Sequence, residues 1–285
     1  AEFVTYQPLS DADMEKLEQE YDVILEHSRY KDVNVESGDL KGTTIRVFPM
    51  PEKLNLCEVR DGHEPGDGEA LLTQDFADVH DIKVGDMISL GAYDYKVSAY
   101  TTKADYIYML EKLSGYIDSE KFALIVVDRK EYDKIDADEA SYYSIKYNKD
   151  NSKEVREKLN ADYVIASYMA ATTNMRISMP VNEGDAVTNM ATMYAPAMFI
   201  IIITLVVMVL GRNIRPEQYL LGTFLALGFS KKQIIRHYMR YGVLPGIVGS
   251  VLGLIVSVPL TGLLCRFYIE YDFEKLTYTP TYDVP

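Results

Sequence analysis

Two uninterrupted apolar runs stand out in the last third of the chain. They cover residues 190–210 and 241–265, and neither contains a charged side chain. A helix needs about 20 apolar residues to cross the hydrocarbon core of a bilayer. The pattern therefore predicts two transmembrane helices at these positions.

Residues 1–185 follow another pattern, in which short alternating or apolar runs are separated by polar turns. Ser10 precedes an acidic first turn, as expected at a helix start, and Gly91 separates two alternating runs, as expected in a hairpin. The pattern predicts helices at 10–21, 74–82, 129–135 and 152–160. It predicts strands at 21–27, 42–50, 53–59, 69–73, 84–90, 93–103, 122–128 and 141–148. Strands and helices interleaved in this way indicate an α+β domain of mixed strands and helices on one core.

The charge distribution predicts an orientation. The chain has a net charge of −14, and residues 1–185 alone have a net charge of −17. The short segment 211–240 has the opposite balance, with one acid, Glu217, against Arg212, Arg215, Lys231, Lys232, Arg236 and Arg240. Positively charged short loops stay on the cytoplasmic side. We therefore expect a multi-pass protein of the plasma (inner) membrane, with residues 1–185 and an outer tail, 266–285, outside the cytoplasm. The acidic balance also argues against a nucleic-acid partner.

The start of the chain contains no signal-peptide pattern, although residues 1–185 are expected to be exported. We therefore expect another transmembrane helix upstream, and we interpret the sequence as part of a longer protein. Cys57 lies in the acidic domain and Cys265 at the end of the second apolar run, so no disulfide is expected.

Residues 176–189 lead into the first span and are open to two interpretations. A helix that continues outward from the membrane would form a stalk between the outer domain and the span. Pro180 and Gly184 instead favour a break near these positions, which would make the segment a hinge.

The second apolar run contains two pairs of glycines spaced four residues apart, Gly242 with Gly246 and Gly249 with Gly253. Small residues at this spacing allow helices to approach closely in lipid. We expect these four glycines to form a packing face, although glycine is also generally common in membrane helices.

The basic segment between the spans predicts two short amphipathic helices at the inner membrane surface. The first covers residues 218–227, Gly228 breaks it, and Ser230 can cap the second. The basic side of these helices could meet lipid phosphates or dock a soluble partner, and the residues alone do not separate the two.

The same segment carries a resemblance. Residues 222–230 read GTFLALGFS and are followed by KKQII, which resembles the signature of FtsX-like ABC transporter permeases, and the glycine-rich start of the second span is similar to the next helix of that family. Farther upstream, VRDGHEP at 59–65, GEALL at 68–72 and IKVGDMI at 82–88 resemble the pattern of MacB-type extracytoplasmic core domains. The order of domain, span, basic segment and span is also that of the family.

The resemblance implies a fold and a division of the chain. The fold would be an α+β extracytoplasmic domain followed by two transmembrane α-helices joined by short cytoplasmic coupling helices. Residues 1–185 would be the MacB-like core domain, and residues 186–285 part of the FtsX-like transmembrane domain. The family unit usually has four spans, so the first and last would be missing here.

The resemblance also implies a function, a permease subunit that couples a cytoplasmic ABC ATPase to motions of the outer domain for export, extraction or peptide resistance. The expected partners are that ATPase, further transmembrane helices of the same permease or a second permease copy, and the lipid bilayer. This chain would hold no cofactor, since ATP and Mg²⁺ would bind the ATPase. The implied ATPase-coupling residues are Glu217, Gly222, Leu227, Gly228, Ser230, Lys231, Lys232 and Arg236. The family often has an acidic residue where Leu220 stands here, so an acidic contact at this place is in doubt.

Two other classes of function compete with this one. The first is a membrane-anchored ligand sensor or adhesion module without an ATPase. The second is an outer-face enzyme that uses Cys57 with a histidine. The histidines, cysteine and carboxylates of the outer domain match neither a calcium loop nor a zinc helix, and the chain has no P-loop. We therefore expect neither a catalytic nor a metal site in this chain.

Overall fold

The computed structural model describes residues 1–113 and 115–265. These residues fall into one unit at Ala1–Val181 and a second unit that begins at Asn182. The first contains a mixed sheet with four helices, and the second consists of helices.

The helices of the first unit are short, and their bounds follow their capping residues. Ser10 forms a capping box with Asp13 at the start of α1, and the side chain of Asp128 caps α3. The four helices are α1 Asp11–Tyr21, α2 Gln74–Val79, α3 Arg129–Lys134 and α4 Ser152–Tyr163.

Ten strands form one mixed sheet among the described residues. They are β1 Glu2–Thr5, β2 Val23–Asn34, β3 Thr44–Pro49, β4 Cys57–Arg60, β5 Glu69–Thr73, β6 Met87–Ser89, β7 Asp94–Lys103, β8 Phe122–Val127, β9 Glu139–Tyr147 and β10 Ile165–Met169. Their spatial order is β10-β1-β9-β2-β3-β8-β5-β7-β4, and β6 also pairs with β7. The pairs β3–β8 and β5–β7 are parallel, and the other pairs are antiparallel.

Strand β8 shows why its sequence is a continuous apolar run. Ala123, Ile125 and Val127 face one core, in which Phe76 of α2 and Tyr132 of α3 also lie. The alternate residues Phe122, Leu124 and Val126 face a second core, covered by Tyr106 and Met109. A strand that is buried on both faces needs apolar residues at every position. A third core joins α1 and α4 to β1, β2 and β9.

The predicted fold class is confirmed, as is each predicted helix and strand of the first unit. The predicted hairpin is β6–β7, in which Gly91 has a φ of 80°. Strands β1 and β10 were not predicted, because each is short and has little alternation, and they pair with each other.

The two long apolar helices lie in the second unit, except that the first residues of α5 belong to the first unit. Helix α5 runs Met175–Ile214, a 3₁₀ turn covers Arg215–Glu217, α6 runs Gln218–Ala226 and α7 runs Lys231–Cys265. Among the described residues, two helical stretches are long and apolar enough to cross a membrane, Met175–Ala226 and Lys231–Thr261. Their large apolar side chains, such as Ile200 and Leu254, are exposed, as expected for helices solvated by lipid.

One detail differs from the sequence-based expectations, and a second concerns a segment for which two interpretations were open. The expected second short helix after Gly228 is not separate, because it is the first part of α7 and continues through the second apolar run without a break. Of the two interpretations of residues 176–189, the structure does not show the break at Pro180 or Gly184, since α5 is one continuous helix of 40 residues. A proline near the start of a helix removes one backbone hydrogen bond, and here that loss does not interrupt the helix.

Candidate functional site

The corner between α6 and α7 is built from two interlocking backbone motifs. At the end of α6 the N–H of Phe229 donates to the carbonyl of Phe224 at 3.1 Å, and the N–H of Gly228 donates to the carbonyl of Leu225 at 3.1 Å. These two bonds define a Schellman motif, which requires a left-handed residue after the helix. Gly228 fills that position with a φ of 90°.

An apolar contact closes the same motif. The rings of Phe224 and Phe229 meet edge to face with their centroids 5.5 Å apart. A contact between these two positions commonly accompanies a Schellman motif, so the turn is fixed by side chains as well as by the backbone.

The start of α7 is capped in the following residues. The backbone N–H of Ser230 donates to Oε1 of Gln233 at 2.9 Å, and the N–H of Gln233 lies 3.4 Å from Oγ of Ser230. This reciprocal pair is a capping box. The four residues Leu227–Gly228–Phe229–Ser230 thus end one helix and start the next with no free linker between them.

A groove of about 510 Å³, lined by both apolar and polar side chains, lies between α6 and the first turns of α7. Leu220, Leu221 and Phe224 line one side, and Ile234 and Tyr241 line the other. The hydroxyl of Tyr238 donates to the carboxylate of Glu217, and this bond ties the 3₁₀ turn to α7 across the groove.

The structure brings most of the predicted coupling residues to this corner, although the role assigned to them stays a prediction. Glu217 and Ser230 make the contacts described above, and Gly222 lies within α6, where a side chain would extend into open space. Leu227 forms the exposed tip, with 70% of its surface accessible. Lys231, Lys232 and Arg236 are exposed on the first two turns of α7.

The four glycines of the predicted packing face differ in their surroundings. A Cβ atom at Gly242 would lie 3.7 Å from Cγ1 of Val206, so α5 already packs against this position. Gly246, Gly249 and Gly253 have no such neighbour within 4 Å. Their proposed role in helix packing therefore stays a prediction, for helices other than α5.

The first unit contains a buried polar cluster that the sequence did not reveal. Asp105 is fully buried and forms an ion pair with Lys103, which is 2% exposed. The hydroxyl of Tyr142 donates to Asp105 at 2.6 Å, and the amide of Asn55 donates to it at 3.1 Å. The position of Asp105 near Lys103 in sequence gives no sign of this burial, because Asn55 and Tyr142 reach the carboxylate from distant parts of the chain.

Cys57 shows no sign of an activated thiol. It lies on β4 opposite Lys103, and burial raises the pKa of its thiol to about 12. A thiolate nucleophile needs the opposite shift. His27 stacks on the ring of Tyr143, with centroids 4.6 Å apart, and burial lowers its pKa. In residues 1–113 and 115–265 no group of three histidine, cysteine or acidic side chains could hold a metal ion.

The fold and the corner together define a class of protein. A mixed α/β sheet domain precedes two long apolar helices that are candidate membrane spans.

Comparisons with known proteins narrow this class. The family model described as FtsX-like permease C-terminal matches residues 192–283, which include α6, the Gly228 corner and α7. No curated protein matches the chain. The crystal structure of a protein described as a lipoprotein from Bacillus anthracis is similar at 9% identity, over 59% of this chain and 96% of that chain, with a TM-score of 0.29.

Residues 192–283 therefore match an FtsX-like permease domain, and this match supports an ABC transporter permease in general terms. A protein of this family is the membrane component of a transporter and is not itself catalytic. The family implies an ABC ATPase partner in general terms. The resemblance of the first unit to a MacB-type core domain stays a prediction.

Proposed function

We propose that this chain is the permease subunit of a mechanotransmission-type ABC assembly, in which a separate cytoplasmic ATPase drives movements of an extracytoplasmic domain formed by residues 1–185. The ATPase would bind at the corner between α6 and α7. ATP and Mg²⁺ would bind in that partner.

The position of Lys231 and Lys232 supports this proposal most directly. Both are exposed in the first turn of α7, where the helix dipole places partial positive charge. Cations at that end of a helix cost about 0.3–1 kcal/mol each. An anionic surface of the ATPase would offset this cost.

The tip beside these lysines has the composition of a protein-binding surface. Leu227 and Phe229 are 70% and 48% exposed, and Phe229 also lines the groove. Large apolar side chains rimmed by charge are typical of protein interfaces. Because the Schellman motif and the capping box fix the corner, little conformational entropy would be lost when it docks.

The dipole argument gives a test in which stability and binding change in opposite directions. Lys231→Glu with Lys232→Glu places negative charge at the start of α7, so the helix should become slightly more stable. Binding of the ATPase should nevertheless fall at least about tenfold, as measured by co-purification and by titration in detergent, because about 1.4 kcal/mol of attraction is lost. Lys130→Glu with Lys153→Glu, two exposed lysines of the first unit, is the matched control.

A second pair of variants tests the shape of the corner. Gly228→Val forces a β-branched residue to a φ of 90°, whereas Gly211→Val introduces the same side chain at a helical glycine that also has open space around it. Only the first should weaken ATPase binding. Unchanged binding in both the charge variant and Gly228→Val would refute the proposal and would favour a membrane-anchored sensor without an ATPase.

A further inference from the structure

Helix α5 begins inside the first unit, where a buried residue caps it. Asn174 is 1% exposed, and its Oδ1 accepts the N–H of Arg176 at 3.1 Å. Its Nδ2 donates to Oε1 of Glu2 on β1 at 2.9 Å. One side chain thus holds the start of α5 and an edge region of the sheet together.

Pro180 leaves one backbone carbonyl of α5 free to accept a hydrogen bond from another segment. In a regular helix the N–H of residue 180 would donate to the carbonyl of Arg176, and proline has no N–H. The N–H of Tyr108 donates to this carbonyl at 3.0 Å. The proline therefore does not break the helix but frees an acceptor for the segment 104–111, which covers one face of the sheet.

The guanidinium group of Arg176 binds the same segment. Its Nε donates to the carbonyl of Leu110 and its Nη2 to the carbonyl of Glu111, both at 3.0 Å. The group also lies 4.3 Å from the ring centroid of Tyr106, which is 1% exposed. A planar fork with several donors suits this combination of two carbonyls and an aromatic face.

From Tyr106 and Glu111 the contacts continue into the centre of the sheet. Nη1 of Arg46 on β3 donates to the hydroxyl of Tyr106 at 2.9 Å and to the carbonyl of Glu111 at 3.2 Å. Nε and Nη2 of Arg46 pair with Asp32 on β2, each at 2.7 Å. Two arginines therefore share one carbonyl and hold one tyrosine between them.

We propose that Arg176, Tyr106 and Arg46, with the carbonyls of Leu110 and Glu111, form an anchor through which displacement of α5 reaches the sheet. Arg176 is a positioning residue in this anchor. The anchor as a route for movement rests on the proposed function, since only an ATPase-driven displacement of α5 would load it.

The fork of Arg176 gives a specific variant. Arg176→Lys keeps the positive charge and the aliphatic stem but loses the planar group that bonds two carbonyls and stacks on Tyr106. Arg156→Lys is the matched control, because Arg156 on α4 also lies over a tyrosine ring, that of Tyr168 at 5.4 Å, and is absent from the anchor contacts. Arg176→Ala, which removes the guanidinium group altogether, is the second variant.

Hydrogen exchange of the full-length permease with its ATPase in nanodiscs is the measurement, first without nucleotide. In Arg176→Lys the amides of residues 106–111 should exchange about tenfold faster than in the wild type, while those of β8 stay unchanged. Arg156→Lys should leave both regions unchanged. Unchanged exchange at 106–111 in both Arg176 variants would overturn the anchor.

The second arm adds ATP and vanadate. In the wild type, exchange should change in residues 177–189 of α5 and in residues 104–111, whereas in Arg176→Lys the change should stay within α5. A change that still reaches residues 104–111 in Arg176→Lys overturns the route alone. A wild type without any nucleotide-dependent change overturns the route together with the proposed function, so the two failures are distinguishable.

Discussion

The ion pair between Lys103 and Asp105 allows a quantitative prediction about the first unit. Lys103 is 2% exposed and Asp105 is fully buried. The ammonium group also lies 4.6 Å from the ring centroid of Phe48. Lys103→Met keeps most of the stem volume in this apolar setting and removes the only cation in direct ion-pair contact with Asp105 among the described residues.

The magnitude follows from what remains around the carboxylate. Breaking a buried pair from one side costs about 3–5 kcal/mol, because a charge is left uncompensated. Asp105 would keep its bonds from Tyr142 and Asn55, which favours the lower end of this range. We expect a loss of about 3 kcal/mol, which lowers Tm by about 6–12 °C in a unit of this size.

The assay is thermal unfolding of the wild type, Lys103→Met, Asp105→Asn and the double variant in detergent, followed by near-ultraviolet circular dichroism of the tyrosines. In the double variant neither charge is left unpaired, so its loss should be smaller than the sum of the single losses by at least about 1.5 kcal/mol. Additive losses would refute the reasoning, because they would mean that the two charges do not depend on each other.

Three other predictions concern separate residues. Burial, with the nearby Asp105, raises the pKa of Glu2 to about 7, so the stability that its protonated form contributes is present below the unfolded pKa of about 4.5 and is lost as the pH rises through 7. Relative to Glu2→Gln, the unfolding free energy of the wild type should therefore fall by up to about 3 kcal/mol between these two pH values. Parallel pH profiles of the two proteins would contradict this prediction. Because burial raises the pKa of Cys57 to about 12, its reaction with a disulfide reagent at pH 7 should be about a thousandfold slower in the folded protein than in urea, and equal rates would contradict the shift. Gly242→Leu should separate α5 from α7 and lower Tm in detergent, since its Cβ would lie 3.7 Å from Val206, whereas Gly246→Leu has open space and should not; equal effects would argue against the α5–α7 contact.

Local patterns in the sequence were sufficient for most elements of the fold. The apolar runs, the caps at Ser10 and Ser230, and the glycines at Gly91 and Gly228 each act within a few residues of chain. Their physical effects are local, so the sequence predicts them without knowledge of the rest of the molecule. Strands β1 and β10 escaped prediction because their pairing, which defines them, joins opposite ends of the first unit.

The candidate site between α6 and α7 also depends mainly on local sequence patterns. The Gly228 corner could be located from its residues alone, because a Schellman motif and a capping box are both formed by residues close together in the sequence. The structure differs from the sequence-based prediction of this corner only in the length of α7, because nothing in the sequence after Ser230 separates a short basic helix from the long apolar helix that follows.

By itself, the sequence determined that two apolar helices follow an acidic α+β domain, that a glycine corner lies between them, and that the corner resembles FtsX-like permeases. The tertiary structure alone decided that Pro180 leaves α5 intact and that Arg176 and Arg46 meet at Tyr106 and Glu111. Helix periodicity and caps depend on neighbours in the chain. The carbonyl of Glu111 lies 65 positions in the chain from each of the two arginines that share it, and only folding brings the three residues together.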